Sequence, residues 1–325
     1  MYKFYLTIVL VASSKPYLSF VIPAKNEEGS VQALYQEIVA AVHPLKKTYE
    51  IIFIDDGSTD STFEKLTQLH KKDSQVKIIK FRGNLGKSAA LQTGFDKASG
   101  NIVFTMDADL QDNPREILHF LEKINEGYDL VSGWKKTRHD PSVKVIPSRI
   151  LNNFLTPLLT GVKLHDINCG FKAYRKEVVK TLNLYGELYR FIPVFAAKQS
   201  FRVTEIPVDH RARKHGKSKF GWERNIKGFL DLLTVVFLTG YNRRPGHFFG
   251  TFGLISFFAG FVVGLYITYL RLTTGGVQGR QPLLILGILL MIVGVQLVST
   301  GLLAEMMLAA RTKLDYTSSI ERLIE

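Results

Sequence analysis

The chain has 325 residues and a single cysteine, Cys169. One thiol excludes an intrachain disulfide and fits a reducing compartment, where a buried cysteine is simply a small apolar residue. The Walker and dinucleotide-binding glycine fingerprints are absent. So is any recognisable nucleic-acid-binding module, although lysine and arginine outnumber aspartate and glutamate by 42 to 29, a formal net charge of +13. Nucleic acid is therefore not the expected partner. A basic surplus in a chain that is 46% hydrophobic points instead to a membrane protein with a basic face toward anionic lipid. The amino-terminal run MYKFYLTIVLVASSK carries Lys3 before a short apolar stretch, but no clear small-x-small cleavage site follows. Residues 1–16 read as an extension with no assigned role.

What is present falls into two halves. From residue 17 to about 140, short apolar runs end in polar turns and lead into helical periodicity. That is the pattern of βα units and a mostly parallel sheet. Strands are expected at YLSFVIPA (17–24), YEIIFIDD (49–56), VKIIKFR (76–82), NIVFTMDAD (101–109) and YDLVSGW (128–134), with helices over 27–42, 61–73 and 87–99. Ligands of such sheets bind outside the carboxyl ends of the strands, where the polar motifs lie.

Residues 248–270 and 283–304 contain no charged side chain. Each is long enough to cross a hydrocarbon core of about 30 Å as a helix. Arg243, Arg244, Arg311 and Lys313 flank the pair, against Arg271 and Arg280 in the connection. The positive-inside rule then puts the large domain and both termini in the cytosol. Gly260, Gly264, Gly287 and Gly294 would allow close helix packing within or between subunits. Two amphipathic segments precede the spans. Residues 148–162 place Ile150, Leu151, Phe154, Leu155, Leu158 and Leu159 on one face, suited equally to the sheet and to a membrane surface. The second places Trp222, Ile226, Phe229, Leu230 and Leu233 together, leads straight into the spans, and is expected at the surface.

Three motifs carry chemistry. In DDGSTDS (55–61), Gly57 permits a tight turn and Ser58, Thr59 or Asp60 can cap the next helix. Adjacent carboxylates at Asp55 and Asp56 repel unless donors meet them, and a ribose hydroxyl pair or a base N–H would serve. In TMDADLQDNP (105–114), an extended chain would project Asp107 and Asp109 to one side, as hard oxygen ligands for Mg²⁺ or Mn²⁺. Gln111 continues the alternation, while Asp112 before Asn113-Pro114 reads as a helix cap. In RGNLGKSAALQTG (82–94), Gly86 and Lys87 fall at a helix start, where backbone N–H groups and a lysine suit a diphosphate.

VIPAKNEE, FIDDGSTDST, RGNLGKSAALQTGF, MDADLQDNPREI, HDINCGFKAYRKEV and RKHGKSKFG, in this order, resemble the family 2 glycosyltransferases that charge a polyprenyl phosphate. That group includes dolichol-phosphate mannosyltransferase and the bacterial bactoprenol glucosyltransferases. The resemblance covers nearly the whole chain, and the two spans match the bactoprenol branch best. It implies a GT-A-type, Rossmann-like α/β catalytic domain over 17–210, including the amphipathic helix at about 148–162. A basic loop and juxtamembrane helix would occupy 211–247, the two spans 248–304, and a cytoplasmic tail 305–325.

By the same resemblance, Pro23, Lys25, Glu27, Asp55, Asp56 and Gly86 would line the nucleotide-sugar site with Asp107, and Lys87 would approach the diphosphate. Asp107, Asp109 and Gln111 would hold the Mg²⁺ or Mn²⁺ ion. Lys135, Arg149 and Arg213 would meet the lipid phosphate. Lys135 departs from the arginine of the mannosyltransferases, keeping the charge and losing the bidentate fork. Asp166 would lie near the reacting centre, so the catalytic set is Asp166, Asp109 and Lys87. The implied reaction is inverting transfer of a hexose to undecaprenyl or polyprenyl phosphate at a bacterial plasma membrane, by a homo-oligomer resembling a tetramer. UDP-glucose is the first donor to expect and GDP-mannose the second. A phosphate monoester with a second pKa of about 6 is already mostly ionised, so Asp166 is expected to orient rather than abstract. A processive polysaccharide synthase would add spans and a Q-x-x-R-W motif, which this chain lacks. A membrane-anchored nucleotide-sugar binder would bind the donor without turning it over.

Overall fold

The computed structural model describes residues 15–136, 156–211, 231–232, 234–237, 245–276 and 279–311. Contacts divide the chain into two units, 1–235 and 236–325. In the first, β1 (Leu18–Ala24), α1 (Val31–Val42), β2 (Tyr49–Asp55), α2 (Thr62–Lys72), β3 (Val76–Lys80), α3 (Lys87–Lys97) and β4 (Ile102–Thr105) alternate along the chain. There follow α4 (Ile117–Asn125), β5 (Leu130–Trp134), α5 (Thr156–Thr160), β6 (Lys172–Arg175), α6 (Lys176–Thr181), α7 (Ile192–Lys198) and β7 (Val203–Pro207). The sheet order is β3-β2-β1-β4-β6-β5-β7. Every pairing is parallel except those of β6, which runs antiparallel between β4 and β5. The domain is the expected GT-A α/β type.

The apolar strand runs arise because both faces of the sheet are covered. Phe20, Ile22, Ile51, Phe53 and Phe104 face Leu34, Ile38, Leu66 and Phe120 of α1, α2 and α4. Their sequence neighbours Val21, Ile52, Ile54 and Val103 face Leu91 and Phe95 of α3 and Ile192 and Ala196 of α7. Period-two alternation thus feeds two cores from one strand. Pro23 is tolerated in the central β1 because pairing with β4 stops at Val21, so no ladder bond to β4 is lost there.

Three strands differ from expectation. The strand expected over 101–109 ends at Thr105, since the chain turns and Leu110 takes a left-handed φ of 62°. β6 and β7 have no alternating pattern long enough to mark them. In the 148–162 segment the described part is helical over Thr156–Thr160, with Leu158 and Leu159 exposed. Residues 148–155, and Trp222, Ile226, Phe229, Leu230 and Leu233, lie outside the described residues.

In the second unit, α8 (Pro245–Thr274) and α9 (Gln281–Arg311) are both long and apolar enough to cross a membrane. Their seam is a seven-residue glycine repeat, Gly246, Gly253 and Gly260 against Gly287, Gly294 and Gly301. A Cβ on Gly253 would lie 2.7 Å from Gly294 O, and one on Gly260 would lie 2.4 Å from Gly287 O. A seven-residue spacing keeps one stripe of each helix on the contact, and glycine lets the backbones meet. Ser256 Oγ donates to Leu290 O at 2.8 Å across this seam, and Gly246 N donates to Glu305 Oε2 at 2.9 Å. Gly264, expected in the contact, has nothing within 4 Å of a Cβ position and lies off the repeat. Gly294→Val should therefore lower the detergent-unfolding free energy by about 1–3 kcal/mol through overpacking, while Gly264→Ala leaves it unchanged, as read by SDS titration of the full chain.

Candidate active site

The first wall of the site is made by three loops at the carboxyl ends of β1, β2 and β3. Asn26 N donates to Ser58 Oγ at 3.0 Å, Thr59 N to Asn26 Oδ1 at 2.8 Å, and Glu27 N to Thr62 Oγ1 at 2.8 Å. The Glu27 carboxylate accepts from Ser30 Oγ at 2.7 Å, closing its own turn. Of the three candidate caps, Asp60 meets the head of α2, accepting from Thr62 N at 3.0 Å. Asp55 Oδ1 accepts from Ser58 N at 2.8 Å, while its buried Oδ2 has no hydrogen-bond partner among the described residues. A base N–H or ribose hydroxyl would satisfy that oxygen.

Asp56 corrects the expectation for its neighbour. Its carboxylate accepts from Leu85 N at 2.7 Å and from Gly86 N at 3.2 and 3.1 Å, one distance to each oxygen. The donors that Asp56 demands are thus supplied by the chain itself, while Asp55 keeps its buried Oδ2 open. Asp56 straps the 83–86 loop to β2, and the Leu85 and Gly86 amides face this carboxylate rather than a diphosphate. Gly57, at φ 70°, lies so close that a Cβ would stand 2.5 Å from the Gly83 carbonyl carbon.

The second wall is a charge cluster at the ends of β4 and β5 and the start of β6. Lys87, the first residue of α3, donates to Asp107 Oδ1, and its ammonium stands 5.0 Å from the centre of the Tyr189 ring. The two side chains are 27% and 31% exposed, so the pair is within reach of a ligand. Burial works to raise the Asp107 pKa, but Lys87, Lys135 and Lys172 overcome it and hold the carboxyl at about 2. Burial likewise works to lower the Lys87 pKa, and Asp107 and Tyr189 reverse it, so the ammonium stays charged. Asp109 is buried and its Oδ1 accepts from Gln111 N at 3.2 Å. Gln111 turns its amide nitrogen toward His210 Nε2 at 3.3 Å and Arg211 O at 3.4 Å.

Asp112 is not the helix cap. Asn113 caps, accepting from Arg115 N at 3.2 Å, and Asp112 is buried with its Oδ1 3.8 Å from Lys135 Nζ. Burial, with Asp107 and Asp109 nearby, raises its pKa against the pull of Lys135. Lys135 stands at the end of β5 among Asp112, Asp107 and Asp166, whose charges raise its pKa although burial opposes them. Asp166 is 1% exposed, and its Oδ1 accepts from Asn168 N at 3.2 Å. The structure therefore brings Lys87, Asp107, Asp109, Gln111, Lys135 and Asp166 to one edge of the sheet, with Pro23 near the end of β1 and Lys25 and Glu27 on the loop that follows it. Arg149 and Arg213 lie outside the described residues.

Sequence reasoning missed four contributors: Lys172, Tyr189, Gly170 and Arg211. Arg211 donates to Glu37 at 2.7 Å and Asn113 at 2.8 Å, and its amide donates to Gln111 O at 2.9 Å. It thus fastens the chain just before the basic segment onto the metal-motif loop. The start of a basic run was the available signal, but the side-chain partners of Arg211 are 98 and 174 residues away in sequence.

The carboxylates fit a hard divalent cation. Asp107 is ionised, Asp109 adjoins it in a turn rather than an extended strand, and Gln111 spends its amide nitrogen on His210 and Arg211, which leaves its carbonyl oxygen for a ligand. No group of three His, Cys, Asp or Glu side chains is arranged to hold a metal among the described residues. Mg²⁺ and Mn²⁺ sites commonly draw their remaining oxygens from substrate phosphates and water.

The sequence profile described as Glycosyl transferase family 2 matches residues 19–182. The dodecaprenyl-phosphate galacturonate synthase of Rhizobium johnstonii is 40% identical over 300 residues, covering 91% of this chain and 88% of the relative. This chain is a family 2 glycosyltransferase of the polyprenyl-phosphate group. Another relative of the group, the undecaprenyl-phosphate 4-deoxy-4-formamido-L-arabinose transferase of Shewanella sediminis, is 37% identical over 89% of this chain and 86% of its own. Among solved structures, glucosyl-3-phosphoglycerate synthase from Mycobacterium tuberculosis, in complex with Mn²⁺, UDP and phosphoglyceric acid, superposes with a TM-score of 0.53. It is 21% identical and covers 68% of this chain and 78% of that one, which establishes the shared GT-A fold.

The transferase's Asp56 strap gives a direct prediction. Asp56→Ala strips two amides of their acceptor. A buried donor left unpaired costs about 1–3 kcal/mol, and water reaching this part-exposed loop offsets some of that, so a total loss of about 1–3 kcal/mol is expected in thermal unfolding of the full chain.

Proposed function

We propose that this transferase moves a hexose from a UDP-linked donor to polyprenyl phosphate on the cytosolic face of the membrane, with inversion. The observation that carries the reading is the meeting of ionised Asp107, buried Asp109 and Asp166, and the cations Lys87 and Lys135 at one edge of the sheet. Glucose is the first sugar, from the resemblance of the spans and motifs to the bactoprenol branch. Galacturonate is the second reading, favoured by the relative that shares 40% identity across 91% of the chain.

The chemistry follows from charge. An acceptor phosphate oxygen bonds to the anomeric carbon as the bond to the diphosphate breaks, and negative charge collects on the leaving diphosphate. Lys87 stabilises that charge, exchanging Asp107 for the diphosphate oxygens. Asp107 and Asp109, with the Gln111 carbonyl, would hold Mg²⁺ or Mn²⁺, which supplies Lewis-acid stabilisation of the same diphosphate. Asp55 receives a donor from the nucleoside on its open buried oxygen. Lys135, with Arg149 and Arg213, offers positive charge to the lipid phosphate. The acceptor needs no strong base, so Asp166 orients it. The spans keep this site at the bilayer surface where the polyprenyl phosphate lies, with Arg243, Arg244, Arg311 and Lys313 on the cytosolic side.

The test is to incubate the purified full chain with undecaprenyl phosphate, Mn²⁺ and, in turn, UDP-glucose, UDP-galacturonate and GDP-mannose. Lipid-linked glucose, with UDP released only when the lipid is added, is the expected outcome. Lipid-linked galacturonate alone selects the second reading, mannose alone refutes the UDP donor, and no lipid-linked product from any donor refutes the proposed reaction. Lys87→Met should lower kcat by about 10²–10³-fold, as the loss of one preorganised charge at a leaving group does.

A further inference from the structure

β6 runs against its neighbours, so its first residue lies at the carboxyl edge of β4 and β5, beside the chemistry. Lys172 pairs in register with Thr105, the last residue of β4, and with Ser132 of β5. Its side chain is 3% exposed and its ammonium donates to the carbonyl oxygen of Cys169. That carbonyl belongs to the short segment linking Asp166 to Gly170. Further bonds fix the same segment. Thr105 Oγ1 donates to Gly170 O at 2.8 Å, Asn168 N donates to Asp166 Oδ1 at 3.2 Å, and Asp166 N donates to Glu205 Oε2 at 3.4 Å. At its far end the segment presses on the metal motif, because a Cβ on Gly170 would stand 2.6 Å from Asp107 Oδ2.

A buried ammonium is an expensive way to fill this space. Burial pulls the Lys172 pKa down to about 8, and Lys87 adds repulsion, although Cys169, Asp166 and Asp107 pull the other way. Methionine would occupy a similar volume without that penalty. What methionine cannot do is donate to the Cys169 carbonyl while placing a positive charge near both Asp166 and Asp107.

We propose that Lys172 is a positioning residue for sugar transfer: through the Cys169 carbonyl it clamps the 166–170 segment and so fixes Asp166 relative to Asp107. The inference rests on the proposed function for its catalytic consequence, and on the geometry alone for the clamp. Lys172 touches neither substrate in this account. Its effect passes through the backbone that carries Asp166 and lies against Asp107.

The experiment compares wild type, Lys172→Met, Lys172→Arg and Thr105→Val in the full chain, using UDP-glucose, undecaprenyl phosphate and Mn²⁺. Lys172→Met is expected to lower kcat about tenfold to a hundredfold with little change in KM for the donor, the signature of a misplaced group rather than a lost binding contact. Lys172→Arg, which keeps the donor and the charge, should recover most of that loss. Hydrogen exchange needs no substrate: amides 166–170 should exchange faster in Lys172→Met, while those of β1 and β2 stay as protected as in wild type. Thr105→Val removes a second side-chain bond to the segment, the one to Gly170 O, and should raise the same exchange, so the clamp remains testable even where Lys172→Met fails to fold. Unchanged exchange at 166–170 in either variant overturns the clamp. Accelerated exchange with wild-type kcat overturns the catalytic role. A wild type that transfers no sugar refutes the proposed function and leaves the exchange result to decide the clamp.

Discussion

Negative charge gathered at the ends of buried strands must be met by donors or cations, and the arrangement of this site follows from how each carboxylate is met. Asp56 takes backbone amides from the 83–86 loop, Asp107 takes the Lys87 ammonium, and Asp112 lies beside Lys135. Burial drives a carboxylate toward protonation, and at Asp112, with Asp107 and Asp109 nearby, it outweighs the pull of Lys135 and raises the pKa. Asp107 shows the opposite result, because three lysines surround it. The same compensation that lets the free chain bury these groups also makes them available. Lys87 and Asp107 are partly exposed, and each can exchange the other for a substrate group of the right sign.

In the proposed function, this exchange is what lets carboxylates that resemble acid–base machinery serve as an electrostatic anchor. Asp107 at a pKa of about 2 carries no proton to give at neutral pH, and its conjugate base is too weak to take one. What it offers is fixed negative charge beside a lysine. A diphosphate with a divalent cation is complementary to that pair, charge for charge.

The parts of the fold legible in the sequence were those with local signals. β1, β2 and α3 stand within a residue or two of their expected bounds, because apolar runs or helical periodicity bounded by polar turn residues mark them directly. The turn after β4 was misread, since alternation assumes an extended chain and Leu110 bends it. β6 was invisible, because KAYR is four residues with two cations, and only the closed sheet shows that Lys172 and Tyr174 are buried. The roles of Asp56 and Asp112 also depended on distant partners, Gly86 and Lys135, which spacing alone does not reveal. In the spans, hydropathy gave the helices, and Gly260, Gly287 and Gly294 marked part of their seam, while Gly246, Gly253 and Gly301 were not singled out. The seven-residue glycine repeat becomes meaningful once Gly253 is seen against Gly294 and Gly260 against Gly287.

The central claim is that two carboxylates and an amide make an incomplete metal site which the donor's diphosphate finishes. Electron paramagnetic resonance of Mn²⁺ titrated into the full chain, with and without UDP, tests it most directly. Weak Mn²⁺ binding alone, becoming tight and stoichiometric with UDP and weak again in Asp109→Ala, is the predicted result. Tight binding without UDP, or binding indifferent to Asp109, would contradict it.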